Sequence, residues 1–83
     1  MPTVLRRGRL RVVIYPADYR PAHVHAIEPD GEAVFNLNCP AGPSELRENY
    51  GLNGRALGAV ERLINMHINE LCRAWEEIHG IAQ

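Results

Sequence analysis

The sequence predicts an α+β domain in which a small antiparallel sheet of three or four strands is covered on one face by a long C-terminal helix. Three observations carry this expectation. Apolar residues alternate with polar ones through the first half of the chain, breaks rich in Pro, Gly and Asp divide that half into short runs, and from about Asn53 the apolar period changes to steps of three and four. With 83 residues, 46% of them apolar, the chain suits one core and a single domain over 1–83.

Taken in order, Val4 and Leu5 offer a short edge strand before a turn at Gly8. Leu10, Val12 and Ile14 then alternate with Arg9, Arg11, Val13 and Tyr15, the period of a strand with one core face and one arginine-bearing face, stopped at Pro16. After the break at 16–21, residues 22–27 read as a strand with Val24 and Ala26 on one side and His23, His25 and Ile27 on the other. Asp30-Gly31 signals a tight hairpin, and residues 33–38 supply the returning strand with Ala33, Phe35 and Leu37 on one face. Residues 44–51 fit either a capped helical turn or a fourth strand.

In the second half Leu57, Val60, Ile64, Ile68, Leu71, Trp75 and Ile78 recur at the spacing of an amphipathic helix. At about 1.5 Å per residue one helix over 53–78 runs roughly 39 Å, against a diameter of about 25–30 Å for a domain of this size. Either it breaks near 65–69 or it protrudes. Because Ile64, Ile68 and Leu71 keep phase there, the expectation is one long helix that also serves a dimer or a protein partner.

Charge is unevenly distributed. Residues 1–20 sum to +4, through Arg6, Arg7, Arg9, Arg11 and Arg20, and residues 21–83 sum to −5. Arg7, Arg9 and Arg11 are therefore candidates for weak nucleic-acid contact, although no aromatic residues interleave them and no base-reading motif accompanies them. No apolar run is long enough for a membrane span or a signal peptide, so no membrane association is expected and a cytoplasmic location is. Cys39 and Cys72 stand far apart with no close pair, which suggests reduced thiols rather than a disulfide framework.

His23 and His25, two apart on a strand, leave the same face with α-carbons roughly 6.5–7 Å apart, a spacing that can chelate a metal. The further donors available are Asp18, Glu28, Glu32, Cys39 and His67, none at a diagnostic spacing, with Asp18 and Glu32 the candidates taken forward. The competing reading is that the histidines only hydrogen-bond within the fold, so no cofactor is expected and a divalent metal is the alternative. Thr3 and Ser44 lack the strained glycine-flanked setting of a nucleophile, and no phosphate-binding glycine loop is present. Pro2 behind the initiator methionine has a parallel in the tautomerases, but the order of elements here does not suit that family's strand–helix–strand unit.

The opening Met1-Pro2-Thr3, the strand at 10–15, the segment Asp18-Tyr19-Arg20-Pro21-Ala22-His23-Val24-His25, the exit Gly31-Glu32-Ala33-Val34 and the helix from Arg55 to Glu76 together resemble the domain-of-unknown-function family numbered 4160. The resemblance spans nearly the whole chain, and Pro-x-His-x-His is its most specific part. It implies a short bacterial cytoplasmic protein, encoded beside a second small domain in an arrangement similar to toxin-antitoxin or mobile-element modules, with no established reaction. The chain departs from the usual pattern at Tyr19, where relatives commonly carry His, and at Ala22, where they carry Pro. The first of these removes a third imidazole. The leading expectation is thus a small interaction module within a two-gene regulatory or defence system. A metal-dependent hydrolase or nuclease using the His-x-His pair is the alternative, and nucleic-acid binding through the arginine face is a third reading.

Overall fold

A computed structural model describes residues 3–80. Met1 and Pro2, and with them the tautomerase comparison, lie outside the described residues. Five strands, β1 (Thr3–Arg7), β2 (Leu10–Val13), β3 (His23–Glu28), β4 (Gly31–Asn36) and β5 (Glu45–Tyr50), precede two helices, α1 (Gly54–Met66) and α2 (Ile68–His79). The strands form one sheet in the order β1-β2-β3-β4-β5, each antiparallel to its chain neighbour.

The α+β class and the antiparallel sheet stand, but the sheet has five strands rather than three or four. Residues 44–51, ambiguous by pattern, form β5 and not a helical turn. All six β5 residues are exposed, so no burial period marks the strand, and it is held by its pairing with β4. Two glycines let it end there. A Cβ on Gly31 would lie 2.3 Å from the Tyr50 carbonyl oxygen, and Gly51 has φ +95°, so the chain crosses the β3–β4 turn at a distance only glycine permits. That turn is Pro29-Asp30, with Gly31 already paired to Glu28, one residue earlier than Asp30-Gly31 suggested.

The expected single helix is two. His67 leaves helical geometry (φ −116°, ψ 24°), and its N–H turns back to the carbonyls of Asn65 and Ile64. Asn65 spends its side chain on the Ser44 N–H, 2.7 Å away, which anchors the start of β5 to the end of α1. His67 then pairs with Glu70 in the first turn of α2. The molecule measures 37 × 24 × 20 Å, and both helices contribute buried apolar residues to the core they share with the sheet.

Val60, Leu63 and Ile64 of α1 and Leu71, Cys72 and Trp75 of α2 pack with Leu10, Val12, Ile14, Val24, Ala26, Ala33, Phe35, Leu37 and Leu52 in one buried cluster, flanked by the partly buried Leu57 and Ile68. Among the members of this cluster that precede the helices, Leu52 alone lies outside the alternation read from the sequence. A second correction concerns the cysteines, which are bonded to each other and tie the segment after β4 to α2 across 33 positions. The sequence reading excluded this because it sought closely spaced pairs, whereas the fold brings these two α-carbons to 5.8 Å. Among the described residues no helix is long and apolar enough to cross a membrane.

Candidate metal centre

Strand alternation sends Val24 and Ala26 into the core and His23 and His25 to the other side of β3. His25 lies between Val13 of β2 and Val34 of β4, both buried, and meets the Tyr15 ring edge-on with centroids 4.7 Å apart. His23, at the first position of β3, is 5% exposed and reaches Trp75 of α2. The loop between β2 and β3 turns at the Asp18 N–H to Tyr15 carbonyl bond and brings the Asp18 carboxylate to both rings.

The polar contacts are asymmetric in an informative way. His23 Nδ1 lies 2.8 Å from the Pro21 carbonyl oxygen, and His25 Nδ1 lies 3.1 Å from Glu32 Oε2. The Pro21 carbonyl only accepts, as does Glu32 while ionised, so in the tautomer with Nδ1 protonated each ring donates to its own partner there. The two Nε2 atoms therefore remain, and both face a single oxygen, Asp18 Oδ2, at 3.2 Å for His23 and 3.1 Å for His25. With neutral imidazoles, two nitrogen lone pairs and a carboxylate oxygen converge on one point. Such a convergence is repulsive until a proton on each Nε2 or a single cation is placed among the three atoms.

The ligating atoms of Asp18, His23 and His25 all lie within 4.8 Å of one another. Bonds of about 2.0–2.1 Å in a tetrahedral centre place ligand atoms about 3.3–3.4 Å apart, so the two Nε2–Oδ2 separations are near what a small divalent ion requires. Glu32, a candidate donor by sequence, sits instead on the far nitrogen of His25. That is where a carboxylate orients a ligating imidazole and raises its basicity. Asp18, His23 and His25 are thus brought together as one donor set, with Glu32 behind it.

The arginines are not gathered in the same way. Arg7 and Arg9 border a cavity of about 260 Å³ with Leu10, Glu28 and α1 residues Val60 and Leu63, while Arg11 is paired with Arg6 and then Ile27 in the β2–β3 register. The single arginine face expected from alternation is split between the two sides of the hairpin. Among the described residues no arginine makes an ion pair with a carboxylate.

His79 is not among the residues that motif or spacing singled out. Its ring stacks on Trp75 with centroids 3.7 Å apart and planes 18° apart, and its Nδ1 lies 3.2 Å from the Trp75 carbonyl oxygen. The signal available was the four-residue spacing of Trp75 and His79, which places both on one helix face.

Residues 10–76 match the family described as domain of unknown function DUF4160, and the chain belongs to that family. No curated protein and no solved structure matches the chain.

Proposed function

We propose that Asp18, His23 and His25 bind a divalent transition metal and that the protein is a metal-dependent enzyme of hydrolytic type. The observation that carries this is the convergence of both Nε2 atoms on Asp18 Oδ2 while each Nδ1 has an acceptor of its own. Two imidazoles and one carboxylate leave a coordination position for water, the arrangement of catalytic rather than structural zinc sites. A metal held there would supply a nucleophile from its bound water at neutral pH, and Glu32, through His25, would strengthen the donor set. The same donors also suit ferrous iron.

The test is metal analysis of protein purified without an affinity tag, followed by zinc titration of chelator-treated protein. One zinc per chain, lost in the His23→Ala, His25→Ala double variant, with a melting temperature lowered by chelator, supports the reading. Failure to bind zinc, nickel, manganese or iron overturns it. Retained iron in place of zinc keeps the centre and overturns the hydrolytic assignment.

A second reading is favoured by β5, an open edge whose six residues are all exposed, Leu46 and Tyr50 among them. Unpaired strand edges recruit other strands. In this reading the chain is an interaction module of the bacterial cytoplasm, one component of a toxin-antitoxin-like pair as the family resemblance implies, or a homodimer. Sedimentation of the protein alone and with the product of the neighbouring gene tests it. A strict monomer that ignores that product removes the reading.

A further inference from the structure

The Cys39–Cys72 bond joins the two segments that hold the His23 ring. Besides Asp18, that ring meets the Pro21 carbonyl oxygen, 2.8 Å from Nδ1, and the Trp75 indole, 5.3 Å away between centroids. On one side of the bond, the chain leaving β4 is tied to the residues next to His23. The Leu37 N–H donates to the Ala22 carbonyl at 3.0 Å, one pair beyond the His23–Asn36 register, and Asn38 and Cys39 line a cleft of about 590 Å³ together with Pro21 and Ala22. On the other side, Trp75 follows Cys72 by three positions on α2, a spacing that puts both on one helix face, and both are buried. We propose that this bond is a redox clamp on the metal centre, opened through Cys39 by a dithiol reductant, and that its opening weakens the hold of His23 on the metal. The proposal rests on the metal reading for its consequence, but not for the clamping of the ring.

Position matters more at this ring than burial does. Leu71 and Trp75 hold α2 on the core by apolar packing, which is non-directional and tolerates small displacements of the helix. The disulfide adds a link of fixed length between α2 and the chain beside Pro21. With it closed, the Pro21 carbonyl and the Trp75 indole keep one spacing, and the His23 ring between them keeps one orientation. A ligating imidazole is sensitive to the groups that orient it, whose loss typically costs about 10- to 100-fold in metal affinity.

The two sulfurs are not equally open to attack. Cys39 is an exposed residue bordering the cleft, whereas Cys72 is 6% exposed. An external thiolate therefore attacks Cys39 Sγ, the S–S bond breaks, and the electron pair leaves on Cys72 Sγ, which takes up a proton. The second thiol of the reductant then displaces the Cys39 thiol from the mixed disulfide. The reductant ends as its own disulfide, and the chain gains two electrons and two protons. Cys39, in the turn after β4, and Cys72, on α2, are then free to separate.

The experiment measures zinc affinity, by competition with a chromophoric chelator, on three proteins well below their melting temperatures. They are the oxidised chain, the chain reduced with dithiothreitol and freed of it without air, and a Cys39→Ser, Cys72→Ser variant. Opening the bond is expected to weaken zinc binding by about 10- to 100-fold, equally in the reduced chain and the variant. Leu63→Ala, which thins the core on α1, is expected to lower the melting temperature and leave zinc affinity unchanged. An equal loss of affinity there would trace the effect to general destabilisation and overturn the clamp. Loss of the folded far-ultraviolet signal on reduction overturns it too, since the bond would then be a requirement of the fold. Equal zinc affinity in the oxidised and reduced chains overturns the clamp and leaves the metal reading intact. If neither form binds zinc, the metal reading falls and control of the metal with it, and proton resonances of the metal-free protein decide what remains. The His23 ring signal, identified by its loss in His23→Ala, should shift on reduction, and an unmoved signal overturns the clamp. With glutathione as the probe thiol, the mixed disulfide trapped by acid should map to Cys39. A mixed disulfide on Cys72, or a bond that dithiothreitol opens only when the chain unfolds, overturns the route through Cys39.

Discussion

The imidazole of His23 rests against the indole of Trp75, with ring centroids 5.3 Å apart and planes inclined at 47°. The candidate centre is therefore propped by the core. Trp75 is 1% exposed and packs in the cluster between sheet and helices. Trp75→Ala should cost roughly 3–5 kcal/mol in chemical denaturation, since a large ring is lost and a cavity remains. It should also weaken zinc binding in whatever fraction stays folded. A loss below about 1 kcal/mol would show that the indole is not supporting the core.

Glu32→Ala removes the acceptor at His25 Nδ1 without touching a ligating atom. Zinc affinity should fall by about 10- to 100-fold while the thermal transition of the metal-free protein changes little. Unchanged affinity would mean that His25 is oriented by its neighbours Tyr15, Val13 and Val34 alone.

Much of this arrangement was legible in the sequence and some was not, for physical reasons. Leu10, Val12, Ile14, Val24, Ala26 and Phe35 showed their face because one side of the sheet is buried, and alternation reports burial. β5 is exposed at every residue and so has no alternation to read. The break at His67 was hidden because Ile64 and Leu71 face the same sheet on either side of it, and their phase carries no trace of the bend. At the site, the pairing of His23 with His25 followed from spacing, whereas Asp18 was one of several possible donors that spacing did not distinguish. Which ring nitrogens point inward depends on Pro21 and Glu32, whose positions only the folded chain defines.

The Cys39–Cys72 bond closes a loop of 33 positions. Reduction should lower unfolding free energy by roughly 3–4 kcal/mol through the entropy returned to the unfolded chain. Denaturation with and without reductant, beside a Cys39→Ser, Cys72→Ser variant, checks this. Superimposable curves would exclude a stabilising role.

Arg6 and Arg11 stand directly opposite each other on β1 and β2 without a carboxylate between them. Like charges in that register are mutually unfavourable by about 0.2–1 kcal/mol, so Arg11→Thr should be neutral or slightly stabilising. Binding of single-stranded RNA should be weak, fall steeply with salt and decline further in an Arg7→Ala, Arg9→Ala, Arg11→Ala variant. Tight binding at physiological salt would make the hairpin a nucleic-acid element.

Tyr50 donates its hydroxyl to Glu48 Oε1 at 2.9 Å, and this bond, with the Glu48 charge behind it, raises the phenol above its ordinary value of 10.0. The phenol is the proton-bearing form in that bond, so the contact is fully present below the ordinary value and is lost as pH rises through the raised one. An ultraviolet phenolate titration should show the Tyr50 transition moved to lower pH by Glu48→Gln. No difference between the two proteins would remove the contact.

Because each strand is paired with its immediate predecessor, the whole sheet is a succession of local hairpins. No strand waits for a distant segment to be synthesised, and the entropy of closing long loops, which slows most sheet proteins, is largely avoided. On a ribosome the strand half is complete by Tyr50, with its apolar face still bare. Its protection during synthesis then depends on how soon α1 and α2 emerge, which makes truncation between Gly51 and Trp75 a route to aggregation rather than to a smaller soluble fold.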